Sequence, residues 1–166
     1  MADWGRSVPE TLVLGIGNLV MSDDGVGVRA VQHLASTHRF PPGVTLLDGG
    51  TLGLDLLPRL EGVERLLVVD AIESGNVPGT VIRLAGDEVP IALATKVSPH
   101  QMGLKDLLAV ADLQGHLPEH VVLVGIQPAC IEMATELSHA VAGNFTELTD
   151  QVLIELGEWG IVPKPC

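Results

Sequence analysis

Four groups of side chains in this chain are of types that do chemistry: the acidic pair Asp23-Asp24, then Asp48, Asp70 and His100. Each sits where an apolar run breaks off into a loop. Asp23-Asp24 follows Leu12–Ile16, Asp48 follows Val44–Leu47, and Asp70 closes Leu66–Val69. His100 lies in Ser98-Pro99-His100-Gln101, ahead of an amphipathic segment. Two carboxylates and an imidazole drawn from separate loops make an oxygen/nitrogen metal site, suited to nickel, zinc, manganese or iron better than to a thiolate-loving ion. The same residue types also serve as general acids and bases. Each has a duller explanation: Asp24 complements a helix dipole, Asp70 ends a strand, and an isolated histidine is structural or exposed. Their joint placement on one edge is what favours a site.

The elements that would bring them together follow from the apolar pattern. Leu12–Ile16 is a continuous apolar run, as expected of a strand buried on both faces. Gly15-Ile16-Gly17-Asn18 turns the chain into Ser22-Asp23-Asp24-Gly25, where Ser22 or Asp23 is expected to cap a helix from about Asp24 to Thr37. Further strands are expected at Val44–Leu47, Leu66–Val69, Thr80–Leu84 and Val121–Ile126. The nine residues from Ala71 to Gly79 are too few for a crossover helix, so the third and fourth strands are expected to form an antiparallel hairpin. A short helix is expected over Leu54–Leu60, with Pro58 against it. Two longer helices are expected, over Met102–Ala111 after a Lys96–Gln101 loop, and from a Ser138 cap to about Trp159. The sum is a three-layer α/β/α sandwich around a mixed, mostly parallel five-stranded sheet. In such sheets ligands gather beyond the carboxyl ends of the parallel strands, where all four acidic and imidazole groups fall.

The composition bounds the function. A length of 166 residues with 46% hydrophobic content fits one domain spanning 1–166, with 1–10 as a polar lead-in. Aromatic content is only 2%, so Val, Leu, Ile and Ala must build the core. A net charge of −12 disfavours nucleic acids and anionic membranes as partners. The two cysteines, Cys130 and Cys166, make neither a metal spacing nor a disulfide framework. With no apolar signal core and no run long enough to span a membrane, a cytoplasmic protein is expected. Gly15-Ile16-Gly17 resembles the start of a dinucleotide fingerprint, but its third glycine position is Val20, and Asp48 lies too far along for the ribose role. A G-x-S-x-G nucleophile elbow is absent, and Cys130 has no activating partner in sequence.

Taken in order, these segments resemble the endopeptidases that mature the large subunit of nickel–iron hydrogenases. The matching pieces are Gly15-Ile16-Gly17-Asn18 with Asp23-Asp24-Gly25-Val26-Gly27-Val28-Arg29, then Asp48-Gly49-Gly50-Thr51 and Val68-Val69-Asp70-Ala71. Pro78-Gly79-Thr80, Ser98-Pro99-His100-Gln101 and Leu123-Val124-Gly125-Ile126-Gln127-Pro128 complete them. The resemblance covers roughly residues 12–158. It implies a phosphorylase/hydrolase-like fold and a cytoplasmic, carboxylate-based (aspartyl-type) protease, expected to be a monomer. Its partner would be the large-subunit precursor, whose C-terminal extension is removed after nickel insertion. The family's metal-binding positions match Asp24, Asp70 and His100, which would grasp nickel already seated in the precursor or a surrogate divalent ion. Asp48 is a further catalytic candidate, as a base. Two other classes remain open: a nickel-binding escort that cuts nothing, and a small-molecule metallohydrolase.

Overall fold

The computed structural model describes residues 10–94 and 99–166, leaving the side chains of residues 93 to 102 outside the description. The strands and helices in chain order are β1 (Glu10–Ile16), α1 (Val26–Thr37), β2 (His38–Arg39), β3 (Val44–Gly50), α2 (Leu57–Leu60), β4 (Val63–Ala71), β5 (Val81–Ala85), α3 (Glu88–Ala94), α4 (Pro99–Leu113), β6 (His120–Ile126), α5 (His139–Gly143), α6 (Phe145–Glu158) and β7 (Lys164–Pro165). Two 3-10 turns, Ser22–Gly25 and Gly53–Leu56, precede α1 and α2.

The main sheet has five strands in the order β3-β1-β4-β6-β5. β3, β1, β4 and β6 run parallel, and β5 is antiparallel to β6. The expected hairpin between the third and fourth strands does not form. β5 does run antiparallel, but its partner is β6, which lies between it and β4. The Ala71–Gly79 segment is long enough to step over one intervening strand, and the close of this segment is tied to the end of β6 by Gly79 N–H donating to Gln127 O and Gln127 N–H donating to Thr80 O.

Strand alternation divides the core into two layers. Val13, Leu67, Val69, Val122 and Val124 face α1, α5 and α6, whereas Leu12, Leu14, Leu66, Val68 and Leu123 face α2, α3 and α4. The apolar residues expected to face the core, Leu104, Leu107, Leu108 and Ala111 on one helix and Val141, Phe145, Leu148, Val152 and Leu156 on the last, are buried, Phe145 only partly. Several boundaries differ from expectation. Asn144 interrupts the last helix, whose first turn Ser138 caps by accepting from Val141 N–H. α3 was not expected, and α4 begins at Pro99, so Pro99-His100-Gln101 is helical. Of the expected Lys96–Gln101 loop, 96–98 lie outside the described residues, as do 1–9 of the expected 1–10 lead-in, whose last residue, Glu10, opens β1.

The connections set the position of any site. From β1 the chain crosses to β3 on one side through α1, and from β3 it crosses back over β1 to β4 through α2 on the opposite face. The segments leaving β1 and β4 therefore diverge at a topological switch point, the usual crevice of an open α/β sheet.

Candidate functional site at the sheet's switch point

Asp24 lies in the 3-10 turn after β1, which packs against β4, and Asp70 is the last residue but one of β4. Both carboxylates are buried, Asp70 completely and Asp24 to 4% exposure. The turn is held tightly. Gly17 takes a φ of +131°, and a Cβ there would fall on the Asp24 carbonyl, so only glycine permits this return of the chain. Asn18 N–H donates to Asp24 Oδ2 at 3.1 Å. Asp70 Oδ1 accepts from the Ala71 N–H at 2.8 Å.

Pairing fixes which way Asp70 points. It is opposite Gly125 in β6, and a Cβ on Gly125 would meet Ile72 of the α4-side core. Asp70 thus shares the face of Leu66 and Val68, which α4 covers. His100 is the second residue of α4, so its backbone stands at the end of the helix nearest the loops. The helix start is set by contact between glycines: a Cβ on Gly103 would lie 3.0 Å from the Cα of Gly53, in the 3-10 turn after β3. The His100 side chain lies outside the description. Among the described residues no three His, Cys, Asp or Glu side chains converge as a metal set.

Asp48 stands apart. It is opposite Gly15, which is opposite Val69 on its other side, so Asp48 and Val69 are separated by two strand spacings, about 10 Å. Asp48 is exposed and faces α1: Oδ2 accepts from Gln32 Nε2 at 3.5 Å, and Oδ1 accepts from Gly50 N–H at 2.9 Å. It borders a shallow cleft with Gly17, Asn18, Val28, Gly50 and Thr51.

The expected helix cap is replaced by something larger. Neither Ser22 nor Asp23 caps α1, whose N-cap is Gly25 with no side-chain bond. Asp23 is fully buried, and its carboxylate accepts four hydrogen bonds. They come from Ala129 N–H (2.9 Å), Cys130 N–H (3.0 Å), Ser138 N–H (2.8 Å) and Ser138 Oγ (2.8 Å). Ser22, at φ +54°, donates its N–H to Ala134 O and its Oγ to Glu136 O. Arg29 reaches Thr135 O. The pattern Ser-Asp-Asp…Arg thus grips the loop after β6, a role that spacing alone could not reveal because its partners lie over a hundred positions away.

Cys130 is not an activated nucleophile. Hydrogen bonding to the Glu132 carboxylate, aided by that group's negative charge, raises the thiol pKa above its ordinary value and keeps it protonated near neutrality.

The family model for hydrogenase maturation protease matches residues 28–155. This chain belongs to that family. It is 46% identical over 152 residues to the hydrogenase expression/formation protein HupD of Rhodobacter capsulatus, covering 90% of this chain and 72% of that protein. It is 39% identical to the hydrogenase 2 maturation protease of Escherichia coli K12, covering 93% and 94%. The hydrogenase maturating endopeptidase HybD from E. coli has a closely similar structure, with a TM-score of 0.91 at 38% identity, covering 94% of this chain and 97% of that one. The family's chemistry is peptide hydrolysis, and the crevice offers it two buried acids. Burying carboxylates costs free energy unless hydrogen bonds or a cation offset it. Carboxylate oxygens are the donor type that suits a divalent ion. No described helix is long and apolar enough to cross a membrane.

Proposed function

We propose that this protein removes the C-terminal extension of a nickel–iron hydrogenase large-subunit precursor, and that it recognises the nickel already inserted there. The observation that carries the reading is the burial of Asp24 and Asp70 together at the switch point, in a chain of this protease family. In this reading Asp24 and Asp70 supply oxygen ligands and His100 a nitrogen ligand to the substrate's nickel. A surrogate divalent ion would occupy the same place. Three protein ligands leave positions open for the precursor's own groups and for water. Nickel can polarise a water or the scissile carbonyl for attack.

Asp48 is the further catalytic candidate, acting as a base from the border of the neighbouring cleft. The acidic surface, at a net charge of −12, supports a protein or cation partner over nucleic acid, and the protein is proposed to act as a cytoplasmic monomer.

The test is incubation of purified nickel-loaded precursor with wild type and with His100→Ala, followed by intact mass. Loss of a C-terminal peptide with wild type alone supports the reading. Binding without cleavage by wild type would make the protein an escort. Hydrolysis of small esters or amides with the folded precursor left intact would make it a small-molecule hydrolase.

A further inference from the structure

Of the eleven exposed large apolar side chains among the described residues, six lie at one end of the sheet, the others being Ile91, Leu113, Leu117, Ile154 and Val162. Val20, Leu52, Leu54, Val77, Ile131 and Met133 all sit on segments leaving the carboxyl ends of β1, β3, β4 and β6, around the crevice. The loop after β6 contributes the most exposed of these, Met133 at 85%, together with Ile131 at 50%. It runs from Gln127 to Ser138 without helix or strand, a length that compact domains usually keep for function. Despite that, it is firmly held. The Asp23 carboxylate takes its two ends, and Ser22, Arg29 and the Ala134 N–H to Val20 O bond hold its middle. The loop carries Glu132 and Glu136 and no Lys or Arg.

We propose that this loop is the arm that docks the hydrogenase large-subunit precursor, through Ile131 and Met133, and that Asp23 is a positioning residue joining the docked arm to the turn that carries Asp24. The inference rests on the protease reading above and deepens it. Two apolar tips flanked by carboxylates on an acidic protein fit a precursor surface with an apolar patch bordered by Lys or Arg. Such tips bury on docking and govern affinity. Asp23 is adjacent to Asp24 in the same 3-10 turn, so the bonds that fix the arm also fix the Asp24 backbone. Docking and catalysis then separate within one loop. The tips set KM, and the clamp sets kcat.

Asp23→Asn is the cleanest change to the clamp. Whichever way the amide is turned, its NH2 faces an N–H donor, and the charge that four donors share is lost. The experiment measures steady-state processing of nickel-loaded precursor, with amide hydrogen exchange on each variant. The double variant Ile131→Ser/Met133→Ser is expected to raise KM about tenfold with kcat within about twofold. The wild-type KM is expected to rise with salt as the charged border is screened. Asp23→Asn is expected to lower kcat about a hundredfold per folded molecule with KM within about threefold, while amides 129, 130 and 138 lose protection and the sheet keeps it. Ser138→Ala, which removes one of the four donors, is expected to fall between, and it serves if Asp23→Asn does not fold.

An unchanged KM in the double variant would overturn the docking role. An unchanged kcat per folded molecule in Asp23→Asn, or in Ser138→Ala where that is the variant that folds, would reduce the clamp to a stability element. Failure of wild type to cleave would instead strike the protease reading, and direct precursor binding by the double variant would still decide the docking role.

Discussion

Gly27 lies directly against the carbonyl of Val69: a Cβ built on it would sit 2.0 Å from that oxygen and 2.8 Å from the Ile16 oxygen. The first turn of α1 is thereby pressed onto the ends of β1 and β4, one residue before Asp70. This backbone contact sets how closely the Asp24 turn approaches the Asp70 strand.

Gly27→Ala must separate helix and sheet, since both obstructing atoms are backbone. The expected cost is about 2–3 kcal/mol, an overpacking penalty. Processing should fall further than the folded fraction does, because the two acids move apart. Denaturant unfolding and processing rate on the same preparation check this. A rate that tracks the folded fraction alone would show that the spacing is not critical.

Asp70→Asn should remove activity from the folded protein. The asparagine keeps an acceptor for the Ala71 N–H while removing a buried charge. Cleavage of loaded precursor per folded molecule is expected to fall at least about a thousandfold. A folded variant that still cleaves would place the chemistry elsewhere.

The expected fold and the expected site were legible to different depths. Strands β1, β4 and β6 show as apolar runs, with Gly15 and Gly125 inside two of them, because both of their faces are buried, and Val141, Phe145, Leu148, Val152 and Leu156 show at helical spacing. The partner of β5 was not legible. Local pattern reports that Val81–Ala85 is a strand, but which strand lies beside it is settled by the Gly79–Gln127 and Gln127–Thr80 backbone bonds, which join distant segments. α3 was hidden by its shortness and by Pro90. At the candidate site, Asp70 is legible as the close of an apolar run and Asp24 as part of the loop that follows β1. Asp23 was misread as a cap because its four donors lie on residues 129 to 138. Asp48 and Asp70 both follow apolar runs in the sequence, and only strand register shows that they leave opposite faces.

Arg83 on β5 and Glu155 on α6 form a two-pronged ion pair, with Nε to Oε2 at 2.6 Å and Nη2 to Oε1 at 2.9 Å. Glu155 is buried and Arg83 half-exposed, and the Glu155 hydrogen bond raises the arginine's pKa. Arg83→Met leaves a buried carboxylate facing the sheet. Solvent reaching the arginine limits the expected loss to about 1–2 kcal/mol, or a melting shift of about 3–6 °C. Processing by the folded variant should match wild type, and a lowered rate would link this edge strand to the site.

Cys130 should alkylate slowly. Its thiol pKa is raised, chiefly by the Glu132 hydrogen bond, so the thiolate stays scarce until pH passes the ordinary thiol range. Iodoacetamide labelling at pH 7.5, mapped by peptide mass, is expected to run several-fold slower at Cys130 than at a free cysteine in the same buffer. Fast labelling would revive a reactive thiol at this position.

The most direct test of the account compares nickel-loaded and nickel-free forms of the same purified precursor, each incubated with wild-type protein and followed by intact mass. Only the loaded form is expected to lose its C-terminal peptide, as follows if the buried acids at the switch point engage the substrate's nickel. Equal cleavage of the nickel-free form would contradict it, leaving a protease of this family whose acids serve the peptide bond without reading the metal.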